Sequence, residues 1–314
     1  MDHPNQKTNK KSTAFWWETT IRFNKPLPPD SPEISIIGNV LIQLGSHGAE
    51  EIYKKGKCSA LKGYYSNQYN KPKILKTIKE NIQNDYKENF IPFSICLTKF
   101  TDISWSEEWK KYAKPILIDK SLGILPTFSL KCPPSFPKKM AILRLDPGLA
   151  FGTGSHPTTY LCLKELVALL IKEKKIIKHS LDCGTGSGIL ALAIKVLSGS
   201  RVLALDNDLM AIQTARENAR KNKQNSHIQF QKGSVESIKG KFDLIVANIQ
   251  LSFFEKNLKF LRSLLIPHGF LILSGLLSSE EKKIKTLLKE KHFKILKTKK
   301  YRGWLCLRVK RNRF

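Results

Sequence analysis

The stretch that decides the fold of this chain is LDCGTGSG, residues Leu181–Gly188. It begins within the apolar segment His179–Cys183, which predicts a short strand, and runs into Ile189–Leu197, which predicts a helix. Glycines between a strand and a helix let the backbone pass close to a ligand at the mouth of a parallel sheet. The run therefore predicts an open α/β sheet with a ligand-binding loop after its first strand.

The sequence after this loop keeps alternating between strand-like and helix-like segments. Predicted strands are Arg201–Leu205, His227–Gln231, Phe242–Ala247 and Phe270–Ser274, and predicted helices are Leu209–Asn222, Phe253–Leu265 and Glu280–Lys291. Such alternation builds a mostly parallel, doubly wound sheet. The final strands, Phe293–Lys297 and Trp304–Val309, have no helix between them, so they should pair antiparallel. The expected α/β fold is a Rossmann-like sheet of seven strands whose last strand is antiparallel.

The sequence before residue 140 predicts a second, smaller unit. Strands at Phe15–Phe23, Glu51–Tyr65 and Pro92–Phe100 alternate with helices at Ile34–Leu44 and Lys71–Asp85. This is the element order of a small α+β, ferredoxin-like domain. We expect a disordered start over 1–14, this domain over 15–102, a linker with a short helix over 103–139, and the sheet domain over 140–314. Five prolines between positions 115 and 137 predict irregular structure in the linker.

The charge balance leaves two interpretations open. The 314 residues include 54 basic and 26 acidic side chains, a net charge of +28. Either a lysine-rich proteome decorates solvated faces, or the protein has a polyanionic partner whose phosphates release counterions on contact. The excess is spread along the chain, and net charge concerns association rather than fold.

Cysteine use and hydropathy predict a cytoplasmic protein. The six cysteines contain no C-x-x-C pair and no zinc-site spacing, so no metal is expected and a reducing compartment is favoured. Residues 1–11 are polar and basic, unlike a signal peptide. The apolar stretches are too short to span a membrane. Nothing in the sequence signals an oligomer, and we expect a monomer.

Two ligands compete for the glycine-rich loop. Gly186-x-Gly188-x-x-Ala191 fits the relaxed dinucleotide fingerprint, and Asp206, which ends the second predicted strand, could accept hydrogen bonds from a ribose diol in either case. Three features favour S-adenosyl-L-methionine: the acid Asp182 directly before the run, the G-x-G-x-G spacing, and the helix-free strand pair. Asp182 is placed to meet the cationic amino-acid end of this methyl donor.

Asn248 is a further candidate, in the run Val-Ala-Asn-Ile at residues 246–249. It lies at the predicted carboxyl end of the fourth strand, where open α/β sheets bind ligands. Its amide could hold an incoming amine or the polar end of the donor. The alternative is that Asn248 only caps the helix predicted from Phe253.

The loop Asp146–Thr159, DPGLAFGTGSHPTT, is a candidate lid. Its glycines, its hydroxyls and the aromatic Phe151 beside Gly152 suit a loop that closes on a ligand, although a flexible interdomain loop has the same composition. The helix predicted after it, Thr158–Ile171, should carry hydroxyl caps at its start. His156 alone is more often structural than catalytic.

Taken together, Asp146–Thr159, Asp182–Gly188 and the pair Asn248-Ile249 closely resemble the bacterial ribosomal protein L-eleven methyltransferase family. The resemblance extends over about 103–314 and rests mainly on the run Gly-x-x-Phe-Gly-Thr-Gly-x-His-Pro-Thr-Thr. It implies a class I methyltransferase that methylates amino groups, on lysines or at the N-terminus, of the eleventh large-subunit ribosomal protein. The small domain at 15–102 would then recognise the substrate.

The resemblance also implies which residues contact the donor. The implied contacts are Thr159, Gly184, Asp206 and Asn248, with Asp182, Gly186, Gly188, Phe151 and Gly152 as neighbours. Asn248 and His156 are the candidates for positioning the amine. A lysine amine has a pKa of about 10.4 and must lose a proton before it attacks the methyl group. Solvent is the favoured acceptor of that proton and transient help from His156 the alternative.

Three other functions stay open at this stage. An RNA or glutamine-amide methyltransferase would commonly carry Asn-Pro-Pro-Tyr where this chain has Asn-Ile-Gln-Leu at 248–251, and without that platform a planar target has less to stack on. A nicotinamide oxidoreductase would use the dinucleotide fingerprint. A ribosome-binding module without enzymatic activity would need neither that platform nor the fingerprint.

Overall fold

The computed structural model describes residues 15–29, 31–44, 46, 49–66, 71–85, 92–101, 115–129, 131–145 and 156–312. The chain divides into two compact units, Met1–Glu108 and Trp109–Phe314. The predicted disordered start, the helix predicted near 103–115, and the lid residues Phe151 and Gly152 lie outside the described residues.

The first unit is a four-stranded antiparallel sheet with two helices, over the part of it that the structure describes. Its elements are β1 (Phe15–Leu27), α1 (Pro32–Gln43), β2 (Ala49–Lys54), β3 (Lys57–Ser66), α2 (Lys71–Asp85) and β4 (Phe93–Thr101). The strands lie in the order β2-β3-β1-β4. This arrangement confirms the ferredoxin-like prediction.

The core of this unit follows from helical spacing. Ile34, Ile37 and Leu41 recur along one side of α1 and are buried against strand residues such as Ile21 and Leu61. Residues three to four apart lie on one face of a helix, so this spacing gives α1 a continuous apolar stripe. Burial of that stripe holds the helix on the sheet.

The second unit begins with a small sheet: β5 (Ile116–Ile118), β6 (Leu122–Leu125) and β7 (Ala141–Arg144). β5 pairs antiparallel with β6, and β6 pairs parallel with β7. The expectation of irregular structure throughout this proline-rich segment is wrong for 116–125. The prolines there lie outside the two strands, and the strand side chains are largely buried, so packing against the core outweighs the local composition.

The second unit then forms the seven-stranded sheet. Its strands are β8 (His179–Cys183), β9 (Arg201–Asp206), β10 (Ile228–Lys232), β11 (Phe242–Asn248), β12 (Leu265–Leu277), β13 (Phe293–Tyr301) and β14 (Trp304–Arg311). They lie in the order β10-β9-β8-β11-β12-β14-β13. Only β14 runs against its neighbours β12 and β13, which confirms the predicted fold class.

Helices cover both faces of this sheet. They are α3 (Pro157–Val167), α4 (Ile189–Ser198), α5 (Leu209–Lys221), α6 (Leu251–Leu264) and α7 (Glu281–Glu290), and α3 continues as a π-helical turn over Ala168–Lys172. Alternate residues of β11 enter two separate apolar clusters: Val246 lies in one and Ile245 in the other. Burial on both faces is what the near-continuous apolar sequence of a parallel strand requires.

Two connections in this sheet have no α-helix: the turn between β13 and β14, and the segment between β10 and β11. Between β10 and β11 the chain makes a single 3₁₀ turn, Val235–Ser237. The remaining residues before β11 are too few for another helix.

Other properties of the chain bear on its environment. Within the described ranges no helix is long and apolar enough to cross a membrane. All six cysteines are unpaired thiols; Cys58, Cys162, Cys183 and Cys306 are buried.

Candidate active site

The glycine-rich loop has a conformation that its sequence requires. Gly184, Gly186 and Gly188 have φ values of +71°, +52° and +81°, in the left-handed region that side chains disfavour. A Cβ on Gly184 would lie 2.7 Å from the Ile249 side chain. The amides of Gly184 and Thr185 both donate to the carbonyl of Leu205, each at 2.9 Å. The loop is therefore fixed against the end of β9.

Asp182 is the buried anchor of this loop. Its side chain is fully buried, and its Oδ2 accepts hydrogen bonds from Thr185 Oγ1 at 2.7 Å and from the Ala191 amide at 3.0 Å. Its Oδ1 is buried and has no hydrogen-bond partner among the residues described. Burial raises the pKa of this carboxyl group to about 7, because low dielectric disfavours the charged form. An orphaned carboxylate oxygen at this depth fits a cationic ligand group.

Asp206 ends β9, as the sequence predicts, and faces the same loop. Its Oδ2 accepts from the Gly186 amide at 2.9 Å, and its Oδ1 accepts from the Asp208 amide at 3.0 Å. Asp208 itself caps α5 by accepting from the Met210 amide at 2.9 Å. A carboxylate has about four lone-pair sites. The half-buried Asp206 therefore retains acceptor capacity for a ligand diol.

Asn248 ends β11 and contacts α3. Its Nδ2 donates to the fully buried Thr159 Oγ1 at 3.3 Å, so residues 89 positions apart meet at the carboxyl edge of the sheet. Its Oδ1 is buried with no partner in the described part of the chain. The alternative prediction, a cap for the following helix, is wrong because the residue at the start of α6 is Gln250.

His156 caps α3 with its imidazole. Its Nδ1 accepts from the Thr158 amide at 3.4 Å and lies 2.8 Å from Thr158 Oγ1, and its ring packs edge-on to Trp304 with centroids 4.9 Å apart. The predicted hydroxyl cap is therefore wrong, because an imidazole takes that place. Burial lowers the pKa of His156 to about 4, so the ring is neutral near pH 7.

Ile249 and Gly275 complete the site without having been assigned a role from sequence. The Ile249 amide donates to the Ser274 carbonyl at 3.1 Å. Gly275 has φ +81°, and a Cβ there would lie 2.6 Å from the Ile249 carbonyl oxygen. Ile249 thus lies between Gly184 and Gly275 and fixes the backbone that carries Asn248. The glycine at position 275 is the signal from which a positive φ could have been predicted.

The described residues thus bring most of the predicted site together. Asp182 and Asp206 contact the loop of Gly184, Gly186 and Gly188, while Thr159 contacts Asn248. The predicted neighbours Phe151 and Gly152 lie outside the described ranges. Over those ranges no group of three or more His, Cys, Asp or Glu residues could hold a metal ion. The site offers acids and orphaned oxygens, which suits a cationic organic ligand.

Comparison with known proteins gives a consistent result. The model of the family described as Ribosomal protein L11 methyltransferase (PrmA) matches residues 39–312. A ribosomal protein L11 methyltransferase from Caldicellulosiruptor saccharolyticus is 33% identical over 299 residues, covering 88% of this chain and 94% of the relative. One from Prochlorococcus marinus is 35% identical over 242 residues, covering 75% and 77%.

A solved structure resembles part of the chain as well. The crystal structure of a ribosomal protein L11 methylase from Lactobacillus delbrueckii subsp. bulgaricus has 36% sequence identity and a TM-score of 0.58. It covers 63% of this chain and 98% of its own.

Proposed function

Because this chain belongs to the ribosomal protein L11 methyltransferase family, we propose that it transfers methyl groups from S-adenosyl-L-methionine to amino groups of ribosomal protein L11. The observation that carries the proposal is the convergence of Asp182, Asp206 and the Asn248–Thr159 pair on one edge of the sheet. That edge combines the acids that a cationic donor needs with an amide that an amine acceptor can use.

The donor would be held by the first half of this site. Asp206 has acceptor capacity for the two ribose hydroxyls, and the loop amides and glycines let the amino-acid part approach the backbone. Asp182 presents an orphaned Oδ1 to a positive charge. S-adenosyl-L-methionine supplies a methyl group already activated on a sulfonium, so the protein's task is to position the reactants and exclude water.

The acceptor amine would be held by Asn248. Its orphaned Oδ1 can accept a hydrogen bond from the amine and so direct the nitrogen lone pair away from the amide. A lysine amine must first lose a proton, from a pKa of about 10.4. His156 is unsuited to take that proton, because its Nδ1 already accepts from Thr158. Solvent receives it instead.

Transfer of a labelled methyl group from the donor to purified L11 tests this function. The wild type should label L11, and Asn248→Ala should lower kcat by about tenfold or more, the usual loss for one positioning hydrogen bond. Asn257→Ala is the matched control, because Asn257 is a buried asparagine whose Nδ2 donates within α6, to the Phe253 carbonyl at 3.1 Å. The absence of label in L11, or label in RNA alone, would overturn the proposal.

Ligand preference separates a methyl donor from a dinucleotide. S-adenosylhomocysteine should raise the thermal unfolding temperature, because a ligand that binds only the folded state stabilises it by mass action. NAD should not raise it. Stabilisation by NAD alone would contradict donor binding and favour an oxidoreductase.

Compartment and assembly belong to the same proposal. We propose that the protein is a cytoplasmic monomer that acts on L11, free or near the ribosome. Its unpaired cysteines support the reducing compartment. Light scattering of the purified protein should give the mass of one chain. A stable dimer would contradict the proposed monomer.

A further inference from the structure

A groove lies at the amino ends of the parallel strands of the seven-stranded sheet, opposite the carboxyl edge that carries the candidate site. It has a volume of about 670 Å³ and is lined by the first residues of β8, β9, β10 and β11 and by the loop at 237–241. No residue of a described α-helix lines it. The cause is the short connection between β10 and β11, whose single 3₁₀ turn leaves the start of these strands uncovered.

The charged side chains that line this groove are all cationic. The basic side chains of the lining are those of His179, Arg201, His227, Lys239 and Lys241, all exposed, and no acidic residue is among the lining residues. Arg201 and Lys239 form no ion pair with any acid in the described ranges. Arg201 and Lys239 therefore carry positive charges that no ion pair in these ranges neutralises.

Two acids, Asp243 and Glu236, are close in sequence to the lining residues and accept hydrogen bonds within the protein. Asp243 Oδ2 accepts from the amides of Lys178 and His179, at 3.1 and 2.8 Å. Glu236 has its pKa lowered by a hydrogen bond from the Ser234 side chain, so it stays ionised and offsets part of the positive charge. Lys241 donates to the Ser263 carbonyl at 2.6 Å, which leaves Arg201 and Lys239 as the cations available to a ligand.

We propose that this groove binds the sugar-phosphate backbone of single-stranded RNA. Arg and Lys contact phosphates, polar side chains such as Ser226, Gln229 and Ser237 in the lining can bond phosphate and sugar oxygens, and the two imidazoles offer planar faces to unstacked bases. A groove of about 670 Å³ is the size of a small-molecule site. It therefore suits a few nucleotides of a single strand better than a duplex.

RNA bound there would leave the methyl-transfer site free. Arg201 begins β9 and Asp206 ends it, and six strand residues span on the order of 17 Å. RNA and L11 can therefore occupy the unit together. This inference goes beyond the proposed methyl transfer and does not depend on it.

Fluorescence anisotropy of a labelled, mixed-sequence single-stranded RNA with the full-length protein tests the groove. Arg201→Gln combined with Lys239→Gln should weaken binding about tenfold at low salt and reduce the slope of log affinity against log salt by about 1.4, the value for two phosphates of a single strand. The matched control is Lys282→Gln with Lys289→Gln on α7, which removes the same charge. Those lysines are exposed. They lie far from the groove, because α7 packs on β13, the outermost strand on the side of the sheet away from β10. The control should bind RNA like the wild type.

Three outcomes would overturn the inference. Equal weakening by both double variants would mean that only net charge matters, and absence of RNA binding by the wild type would remove the ligand. Displacement of the RNA by polyglutamate, at the same concentration of negative charges, would favour an acidic protein as the ligand of the groove. Unchanged thermal unfolding of the groove variant excludes misfolding. Since the RNA measurement uses no methyl donor, failure of methyl transfer leaves it interpretable.

Discussion

The two edges of the seven-stranded sheet are chemically opposite. At the carboxyl edge, Asp182 and Asp206 accept hydrogen bonds from the loop, and Asp182 is fully buried. At the amino edge, Arg201 and Lys239 are exposed beside an open groove. A chain with a net charge of +28 thus keeps acids where a cationic donor would bind and cations where a polyanion would bind.

The two edges use charge in different ways. Buried acids act at short range and depend on local backbone geometry, so small structural changes should damage them strongly. Exposed cations act through a screened field and depend mainly on their number. Changes at the carboxyl edge should therefore have the larger effects.

Gly275→Ala should have the largest effect and should act on the carboxyl edge alone. The new Cβ would lie 2.6 Å from the Ile249 backbone at φ +81°, so we expect the free energy of unfolding to fall by about 3 kcal/mol, combining left-handed strain with overpacking. Gly199→Ala is the control, since Gly199 has φ +70° but nothing within 4 Å of its Cβ position. It should cost only about 1 kcal/mol. Urea unfolding of both variants measures the difference; equal losses would show that Gly275 has no packing role.

Asp206→Ala should come next, by removing the acceptor from the donor site. A hydrogen bond to a charged group contributes about 2 kcal/mol, so donor affinity should fall about thirtyfold. Asp208→Ala is the matched control: it removes an acid two residues away that only caps α5, and it should cost about 1 kcal/mol of stability with donor affinity retained. Calorimetric titration with S-adenosylhomocysteine measures both. Equal affinities for the two variants would separate Asp206 from the donor.

Asp182 and His156, both at the carboxyl edge, should change the free energy of unfolding in opposite directions as the pH rises. The pKa of Asp182 is raised from 3.8 to about 7, so its contribution to the free energy of unfolding falls as pH rises between those values. The pKa of His156 is lowered from 6.5 to about 4, so its contribution rises with pH over that interval. Each slope is at most about 1.4 kcal/mol per pH unit, and the two oppose each other where the intervals overlap.

Substituting Asp182 or His156 alone should reveal how each residue changes the dependence of stability on pH. Asp182→Asn keeps an acceptor for Thr185 and should make stability rise more steeply with pH between about 4 and 6.5 than in the wild type. His156→Asn keeps a capping side chain and should make stability fall with pH over the same interval. Thermal unfolding across this range measures both. Profiles parallel to the wild type would mean that neither group titrates abnormally.

The sequence predicted the parts of this site that depend on position along a strand. Asp206 and Asn248 end β9 and β11 as expected, because an apolar run followed by a polar residue marks a strand end. The contact of Asn248 with Thr159 joins residues 89 positions apart, and only the family resemblance suggested that both belong to one site.

Other features could not be predicted from the sequence, for physical reasons. The imidazole cap by His156 was missed because hydroxyl and carboxyl caps are far more common than His. The amino-edge groove was missed because its cations come from strand starts and loops that are separate in sequence. Residues 116–125 form strands despite nearby prolines, because tertiary burial outweighs local composition.

We propose that the carboxyl edge delivers methyl groups to amines of L11. Mass spectrometry of peptides from purified L11, after incubation with this protein and S-adenosyl-L-methionine, tests it most directly. Methyl groups on lysine side chains or the N-terminal amine, absent without donor and strongly reduced with Asp206→Ala, are the predicted result. Unmodified L11, or methyl groups found only on glutamine amides, would contradict the account.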